Sequence, residues 1–367
     1  MRYGILVAMT MVLLLARPAS GRGSERIDIA LELDQAEAVL ELLAVRAAGD
    51  EVPDSLWTRL LASEGYRRVM ERERGMNERF GLDRGIDDAS FRAWALSGPA
   101  PAGLAERRAA LDAWREVDLQ RAGEQALAYL PAGTRLNGTI YPIVREQTNS
   151  FIWDLETEHP AIFMYVEPGR DAAELEHILA HELHHVGSAM AACPDMPAAQ
   201  DRPAGVRQVR RWLTAFGEGI AVLAAAGGPD GDTHPFAGPD ERSAWSARLD
   251  SLASDMVELE DFLLALLEEE LTGDDAGRRG MSFITRPGAP AGPFYSVGWH
   301  MAATVERVLG REAVVEADCE PARLLLAYDR AAAVLAQGDP DASLPRWSPG
   351  FLERMERDVL AADQIRN

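Results

Sequence analysis

The sequence predicts an α+β protein that is mostly α-helical and contains a small β-sheet. Apolar residues recur at helical spacing through most of the 367 residues. Two short segments near the middle are instead rich in β-branched and aromatic residues, which favour strands. Hydrophobic residues make up 47% of the chain, enough to bury a sizeable core in one large domain or two smaller ones.

Residues 1–21 have the three-part build of a secretory signal peptide. Arg2 precedes the apolar run from Gly4 to Ala16, and a short polar segment with Pro18 comes next. The run is too short to span a bilayer as a helix. We therefore expect export to the periplasm or the extracellular space, with no stable membrane insertion after the signal is cleaved.

The region 22–132 is expected to be helical. One apolar stripe runs from Leu31 to Gly49, a second from Trp57 to Gly75, and a third long helical run from Leu104 to Leu130. No long flexible linker separates these helices from the rest of the chain. Whether they form a domain of their own or a propeptide stays open.

The region 133–312 is expected to form the core that carries the chemistry. Strands are predicted at Thr139–Val144 and Ala161–Val166, and Pro142 predicts that the first of them lies at a sheet edge. Asp171 and Glu174 then resemble a capping box that opens a helix ending near Met190.

Helices alternate with loops in the rest of the chain. We predict helices over 206–226, 243–271, 295–310, 320–336 and 349–364, and loops over 191–204 and 273–293. Residues 313–367 are taken as a C-terminal helical region.

The charge of the chain argues against nucleic-acid binding. Asp and Glu number 59 against 37 Lys and Arg, which gives a formal net charge of −22. The two dense Arg runs, 67–74 and 207–211, are interleaved with Glu or brief, so neither offers a cationic surface to phosphates. The two cysteines, Cys193 and Cys319, form either one disulfide or a pair of buried thiols, and the sequence leaves both open.

The string His181-Glu182-Leu183-His184-His185 carries the chemistry. Histidines four positions apart on a helix lie one turn apart on the same face, so His181 and His185 can offer nitrogens to one zinc ion. Glu182 then lies beside the metal without binding it. The pattern predicts a Zn²⁺ site on the helix.

A catalytic zinc usually takes a third protein ligand and keeps one position open for water. Asp195 and Asp201 fall in a Pro-rich loop, whereas Glu218 lies within a predicted helix between Gly217 and Gly219. We expect the glycines to let this helix approach the first one closely. Glu218 is therefore the predicted third ligand.

Together, the histidine motif and the later Glu-Gly-Ile-Ala segment resemble the gluzincin group of zinc metallopeptidases, particularly uncharacterised bacterial families of zinc-dependent peptidases. The resemblance covers roughly residues 138–312 and implies a zincin-like core. It implies that His181, His185 and Glu218 bind zinc and that Glu182 is the general base. The 33 positions between His185 and Glu218 exceed the gap common in that group, and an inserted loop containing Cys193 would account for them.

Two further residues are candidates for stabilising the oxyanion of a tetrahedral intermediate. Tyr295 and His300 lie in a segment that resembles a late helix of such peptidases, and either could donate a hydrogen bond. The expected partner is a peptide or protein substrate, which we expect to pair with the strand at Ala161–Val166.

Two alternatives are consistent with the same residues. One is a zinc-dependent amidase or esterase that acts on a non-peptide bond. The other is an exported zinc-binding or interaction protein whose site is catalytically idle.

Overall fold

The computed structural model describes residues 26–80, 87–97, 103–146, 150–154, 157, 159–191, 193, 202–285, 291–338 and 344–360. The expected signal peptide at residues 1–21 lies outside this range, as do Asp195 and Asp201. The described part is mostly helical with one small sheet, which confirms the predicted fold class.

The sheet has four strands in the order β1-β2-β4-β3. The strands are β1 (Ile27–Leu31), β2 (Leu136–Ile143), β3 (Phe151–Trp153) and β4 (Ala161–Tyr165). The β1–β2 and β2–β4 pairs are parallel, and the short β3 runs antiparallel to β4. Residues Ile27–Leu31 therefore form an edge strand of the described sheet and not the start of a helix. The prediction that the first helical stripe begins at Leu31 is wrong.

The prediction that Pro142 marks an edge strand is also wrong, because β2 lies between β1 and β4. The Ile140 carbonyl accepts a hydrogen bond from the Glu32 amide, so Ile140 faces β1. Pro142 faces the same side two residues later, beyond the last β1–β2 pair at Ile140. The missing N–H of Pro142 thus costs the sheet no hydrogen bond.

The β4 strand is paired on both sides, with β2 and with β3. Its backbone is therefore occupied, and the expectation that Ala161–Val166 pairs with a substrate is wrong. The outer strands of the described sheet are β1 and β3.

In the described residues, six helices precede the central part of the sheet and one long helix comes after it. They are α1 (Asp34–Ala47), α2 (Asp54–Ala62), α3 (Glu64–Phe80), α4 (Asp88–Ser97), α5 (Leu104–Trp114), α6 (Leu119–Leu127) and α7 (Ala172–Met190). The predicted run from Leu104 to Leu130 is broken into α5 and α6, where the Asp118 side chain caps α6 by accepting a hydrogen bond from the Arg121 amide. Helices α1, α6 and α7 share one buried core with β2 and β4.

A second core belongs to the C-terminal half. Its helices are α8 (Ala204–Leu213), α9 (Gly217–Ala225), α10 (Pro239–Asp250), α11 (Leu252–Leu267), α12 (Gly273–Ile284), α13 (Pro293–Leu309), α14 (Arg311–Cys319), α15 (Ala322–Gly338) and α16 (Pro349–Arg354), and α16 leads into a turn of π-helix, Met355–Leu360. Residues of α9, α11, α13 and α15 pack together in this core.

Two predictions for this half need correction. The predicted helix over 243–271 is two helices, α10 and α11, divided at Ser251. Most of the predicted loop over 273–293 is α12, which forms because Ala276, Gly280 and Phe283 repeat at helical spacing and are buried. In the part of the chain that the structure describes, no helix is both long and apolar enough to cross a membrane.

Candidate metal site

The metal motif lies in the second half of α7. This helix begins where the Asp171 side chain accepts a hydrogen bond of 2.9 Å from the Glu174 amide, which is the N-cap half of the predicted capping box. His181, Glu182 and His185 are partly exposed, whereas His184 is completely buried. At 100° per residue, His181 and His185 share a face from which His184 points away.

Glu218 completes a compact cluster with the two histidines. His185 Nε2 lies 3.2 Å from His181 Nε2 and 3.1 Å from Glu218 Oε2. His181 Nε2 lies 3.4 Å from the same carboxylate oxygen. One potential ligand atom from each residue lies within 4.8 Å of the others. The structure thus brings all three predicted ligands together.

Helix α9 carries Glu218 in its first turn. A single 3-10 turn, Thr214–Phe216, connects α8 to α9, and the fully buried Phe216 anchors this connection against Phe294, with ring centroids 5.0 Å apart. The Glu218 side chain therefore projects from a fixed backbone toward α7.

The glycines beside Glu218 act differently from the sequence-based expectation. A Cβ atom on Gly219 would lie 2.0 Å from the Trp299 amide nitrogen, so Gly219 allows α9 to touch α13 and not α7. On the other side of this contact, a Cβ atom on Gly298 would lie 2.8 Å from the Phe216 carbonyl oxygen. A Cβ atom on Gly217 would meet nothing within 4 Å.

Glu218 and His185 each shift the pKa of the other toward its charged form. Burial alone would raise the pKa of Glu218, but its hydrogen bonds with His181 and His185 hold it well below its usual value. Burial would lower the pKa of His185, but the hydrogen bond and charge of Glu218 raise it. The cluster therefore contains an ionised carboxylate between two imidazoles, as a site for a divalent cation requires.

Tyr295 borders the cluster on α13. Its ring is parallel to that of His181, with centroids 6.2 Å apart and planes inclined by 3°. Burial, together with the nearby Glu218 carboxylate, raises the pKa of Tyr295 well above its usual value, so its hydroxyl keeps its proton. Of the two candidates for the oxyanion, Tyr295 lies beside the metal ligands.

His300 points elsewhere. It lies five residues after Tyr295, which places it about 140° around the helix. Its Nε2 is 3.1 Å from the Tyr328 hydroxyl, which in turn donates to the Pro345 carbonyl oxygen at 2.6 Å. Burial lowers the pKa of His300 to about 4. The structure thus places His300 in a contact with α15 and not with His181, His185 or Glu218.

Glu182 is half-buried beside the cluster. Its negative charge raises the pKa of His185 and also raises the pKa of Tyr295. The carboxylate is therefore near the ligands, but it is not one of the three groups that converge.

Sequence reasoning missed Asp318 at the end of α14. The Ser188 hydroxyl donates to Asp318 Oδ1 at 2.7 Å, while the other carboxylate oxygen is buried and has no hydrogen-bond partner among the described residues. Burial raises the pKa of Asp318 to about 6, although the nearby His185 opposes this. The next residue, Cys319, forms a disulfide with Cys193. Pairing the two cysteines would have placed Asp318 near the metal helix.

The donor set fits a zinc ion. Two imidazole nitrogens and one carboxylate oxygen, held by two helices, are the ligands of many catalytic zinc sites. A mostly helical α+β fold with such a site is consistent with a zinc-dependent peptidase.

A comparison with protein families agrees with this class. The chain belongs to the family described as "Putative zinc dependent peptidase (DUF5700)", whose model matches residues 102–337. This range includes His181, His185 and Glu218, and it confirms the resemblance to zinc-dependent peptidases and supports Zn²⁺ as the cofactor. No curated protein and no solved structure matches the chain.

Proposed function

We propose that the protein is an exported peptidase of the gluzincin type, in which His181, His185 and Glu218 hold zinc. The observation that carries the proposal is the convergence of these three side chains within 4.8 Å, with Glu182 beside them. When bound, the metal supplies Lewis acidity and lowers the pKa of a water molecule.

The chain's own residues supply the proton transfers. Glu182 comes directly after His181 on α7, so its carboxylate can take a proton from the attacking water. The same group then delivers that proton to the amine nitrogen as the peptide bond breaks. The protonated Tyr295 hydroxyl, beside His181, donates a hydrogen bond to the oxyanion.

The outer strand β3 offers the backbone to which an extended peptide can add. It is the antiparallel edge of the described sheet, and its partner β4 leads into α7. Pairing with this edge would use backbone hydrogen bonds that tolerate varied side chains.

Export is supported by the apolar N-terminal segment and by the cysteines. A disulfide between Cys193 and Cys319 persists in an oxidising compartment such as the periplasm or the extracellular space. The measurement that tests export is the N-terminal sequence of the mature protein, which we expect to begin near residue 22.

Glu182→Gln tests the catalytic role. We expect this variant to keep its zinc and to lose at least about 100-fold in kcat on a peptide substrate, because general base catalysis contributes 10²- to 10⁴-fold. Glu174→Gln, two turns earlier on the same helix, is the matched control. Full activity of Glu182→Gln with zinc bound would refute the mechanism. Turnover of esters or amides but of no peptide would favour the amidase or esterase alternative, and zinc binding without any turnover would favour the idle site.

A further inference from the structure

Aromatic side chains from three helices and a loop make ring contacts near the metal ligands. His177 belongs to α7, Trp245 to α10 and Trp299 to α13, while His234 and Phe236 belong to the loop between α9 and α10. We call these five residues the aromatic cluster. The proposed mechanism uses none of them.

One row of aromatic rings extends from the metal site along α13. Tyr295 lies parallel to His181, and Trp299 is one turn further along the same helix. The Trp299 and Trp245 rings are 6.0 Å apart, and the Trp245 and His234 rings are 4.5 Å apart.

A second row of aromatic rings extends from the metal site along α7. His177 precedes His181 by one helical turn, and its ring is 6.0 Å from that of Phe236. The two rows meet in the loop, where His177 is close enough for its charge to lower the pKa of His234. The rings thus border one patch that is continuous with the metal ligands.

The patch is only partly covered. Phe236 is 43% exposed, while Trp245 is 7% exposed. Among the large hydrophobic side chains that are exposed in the described part of the chain, Phe236 is the one with an aromatic ring. An apolar group that covered Phe236 would remove its ring from water, which is favourable.

Aromatic rings line the patch, and the charged groups that act on His234 beside it are Asp232, Glu241 and Arg242. Burial lowers the pKa of both His177 and His234, which disfavours a positive charge on either ring. The nearby carboxylate of Asp232 forms an ion pair of 3.0 Å with Arg242. The chemistry of the patch therefore matches a neutral apolar side chain better than a charged one.

We propose that the aromatic cluster is a substrate subsite that takes an aromatic or large aliphatic side chain next to the scissile bond. This inference rests on the proposed peptidase function and names its substrate class. Aromatic rings would meet the bound side chain edge-on or face-on, as in other aromatic pairs.

The test compares peptides that differ at one position. Full-length zinc-loaded protein is assayed with peptides carrying Phe, Ala or Arg at each position that flanks the cleaved bond. At one position we expect kcat/KM for Phe to exceed that for Ala and for Arg by at least about tenfold. In Phe236→Ala, the ratio of Phe to Ala should fall severalfold, while Leu335→Ala, an exposed aliphatic residue on α15, should keep it.

A binding measurement makes the test independent of turnover. The zinc-loaded Glu182→Gln variant is titrated by calorimetry with the Phe and the Ala peptide, with and without the second substitution Phe236→Ala. Tighter binding of the Phe peptide that is lost with Phe236→Ala supports the subsite. Equal binding of the two peptides, or a preference that Phe236→Ala leaves unchanged, overturns it. If the wild type cleaves no peptide, the proposed function fails, and the same titration still decides the subsite.

Discussion

At the scale of single residues, the site depends on side chains whose pKa values are shifted by their neighbours. Glu218 stays ionised because two imidazoles hydrogen-bond it, and His185 gains basicity from the same contact. A zinc ion held by His181, His185 and Glu218 would displace protons from the cluster, because histidine ligands bind metal in the neutral form. Tyr295 shows the opposite behaviour, since burial and the nearby carboxylate keep its phenol protonated.

Tyr295→Phe removes one hydroxyl from this arrangement. We expect kcat to fall by about 10²- to 10³-fold, as when other oxyanion donors are removed, while the zinc content stays unchanged. Steady-state kinetics with elemental analysis on the same sample measures both. Tyr66→Phe, whose hydroxyl bonds Asp88 at 2.9 Å, is the matched control. A kcat equal to that of the wild type would show that Tyr295 does not stabilise the oxyanion.

At the scale of elements, the contact between helices α9 and α13 fixes the position of Glu218. Gly219→Ala would place a methyl group 2.0 Å from the Trp299 amide nitrogen, so the helices must separate. We expect the free energy of unfolding to fall by about 1–3 kcal/mol and zinc affinity to weaken. Denaturant titration and competition with a zinc chelator measure the two effects.

Gly217→Ala is the control on the same helix. Its Cβ would meet nothing within 4 Å, and alanine favours helix by up to about 1 kcal/mol, so stability should hold or rise. If Gly219→Ala bound zinc as tightly as Gly217→Ala, the helix contact would not position Glu218.

Elements with a strong local pattern could be predicted from the sequence. The capped α7 and the strand at Ala161–Tyr165 are as expected, because their apolar spacing and caps lie within the segment itself. The strand β1 was not predicted, because its five residues alternate only briefly and extend only when paired with β2. The glycines of α12 favoured a loop, but burial of Phe283 and its neighbours outweighs their propensity.

The geometry of the candidate site could be derived from the sequence only where its residues are near in sequence. His181, Glu182 and His185 share one helix, so their geometry can be derived from the helical period. Glu218 was predicted on the ground that its flanking glycines let its helix approach α7. This reason was wrong, since Gly219 faces α13. Asp318 and the ring contact of Tyr295 depend on tertiary packing across more than a hundred residues, which no local pattern encodes.

The disulfide connects distant parts of the whole molecule. It joins Cys193, just after the metal helix, to Cys319 at the end of α14, across a sequence separation of 126. Ser188 and Asp318 add a hydrogen bond beside it. The end of α7, which packs in the N-terminal core, is therefore tied to the C-terminal half.

Replacing both cysteines by serine should destabilise the protein. We expect the free energy of unfolding to fall by about 2–5 kcal/mol, because closing a long loop restricts the unfolded chain. Denaturant titration without reductant measures it. Wild-type protein treated with reductant should unfold at the same midpoint as the variant, and a midpoint unchanged in both would mean that the disulfide does not stabilise the fold.

The central claim is that His181, His185 and Glu218 form one zinc site, and metal content tests it most directly. Elemental analysis is made on the wild type and on His181→Ala, His185→Ala and Glu218→Ala, after loosely held ions are removed. His159→Ala, an exposed histidine outside the cluster, is the control. We predict near one zinc per chain in the wild type and the control, and loss of zinc in the other three. A wild type that takes up no zinc on reconstitution, or a Glu218→Ala variant that holds zinc as tightly as the wild type, would contradict the account.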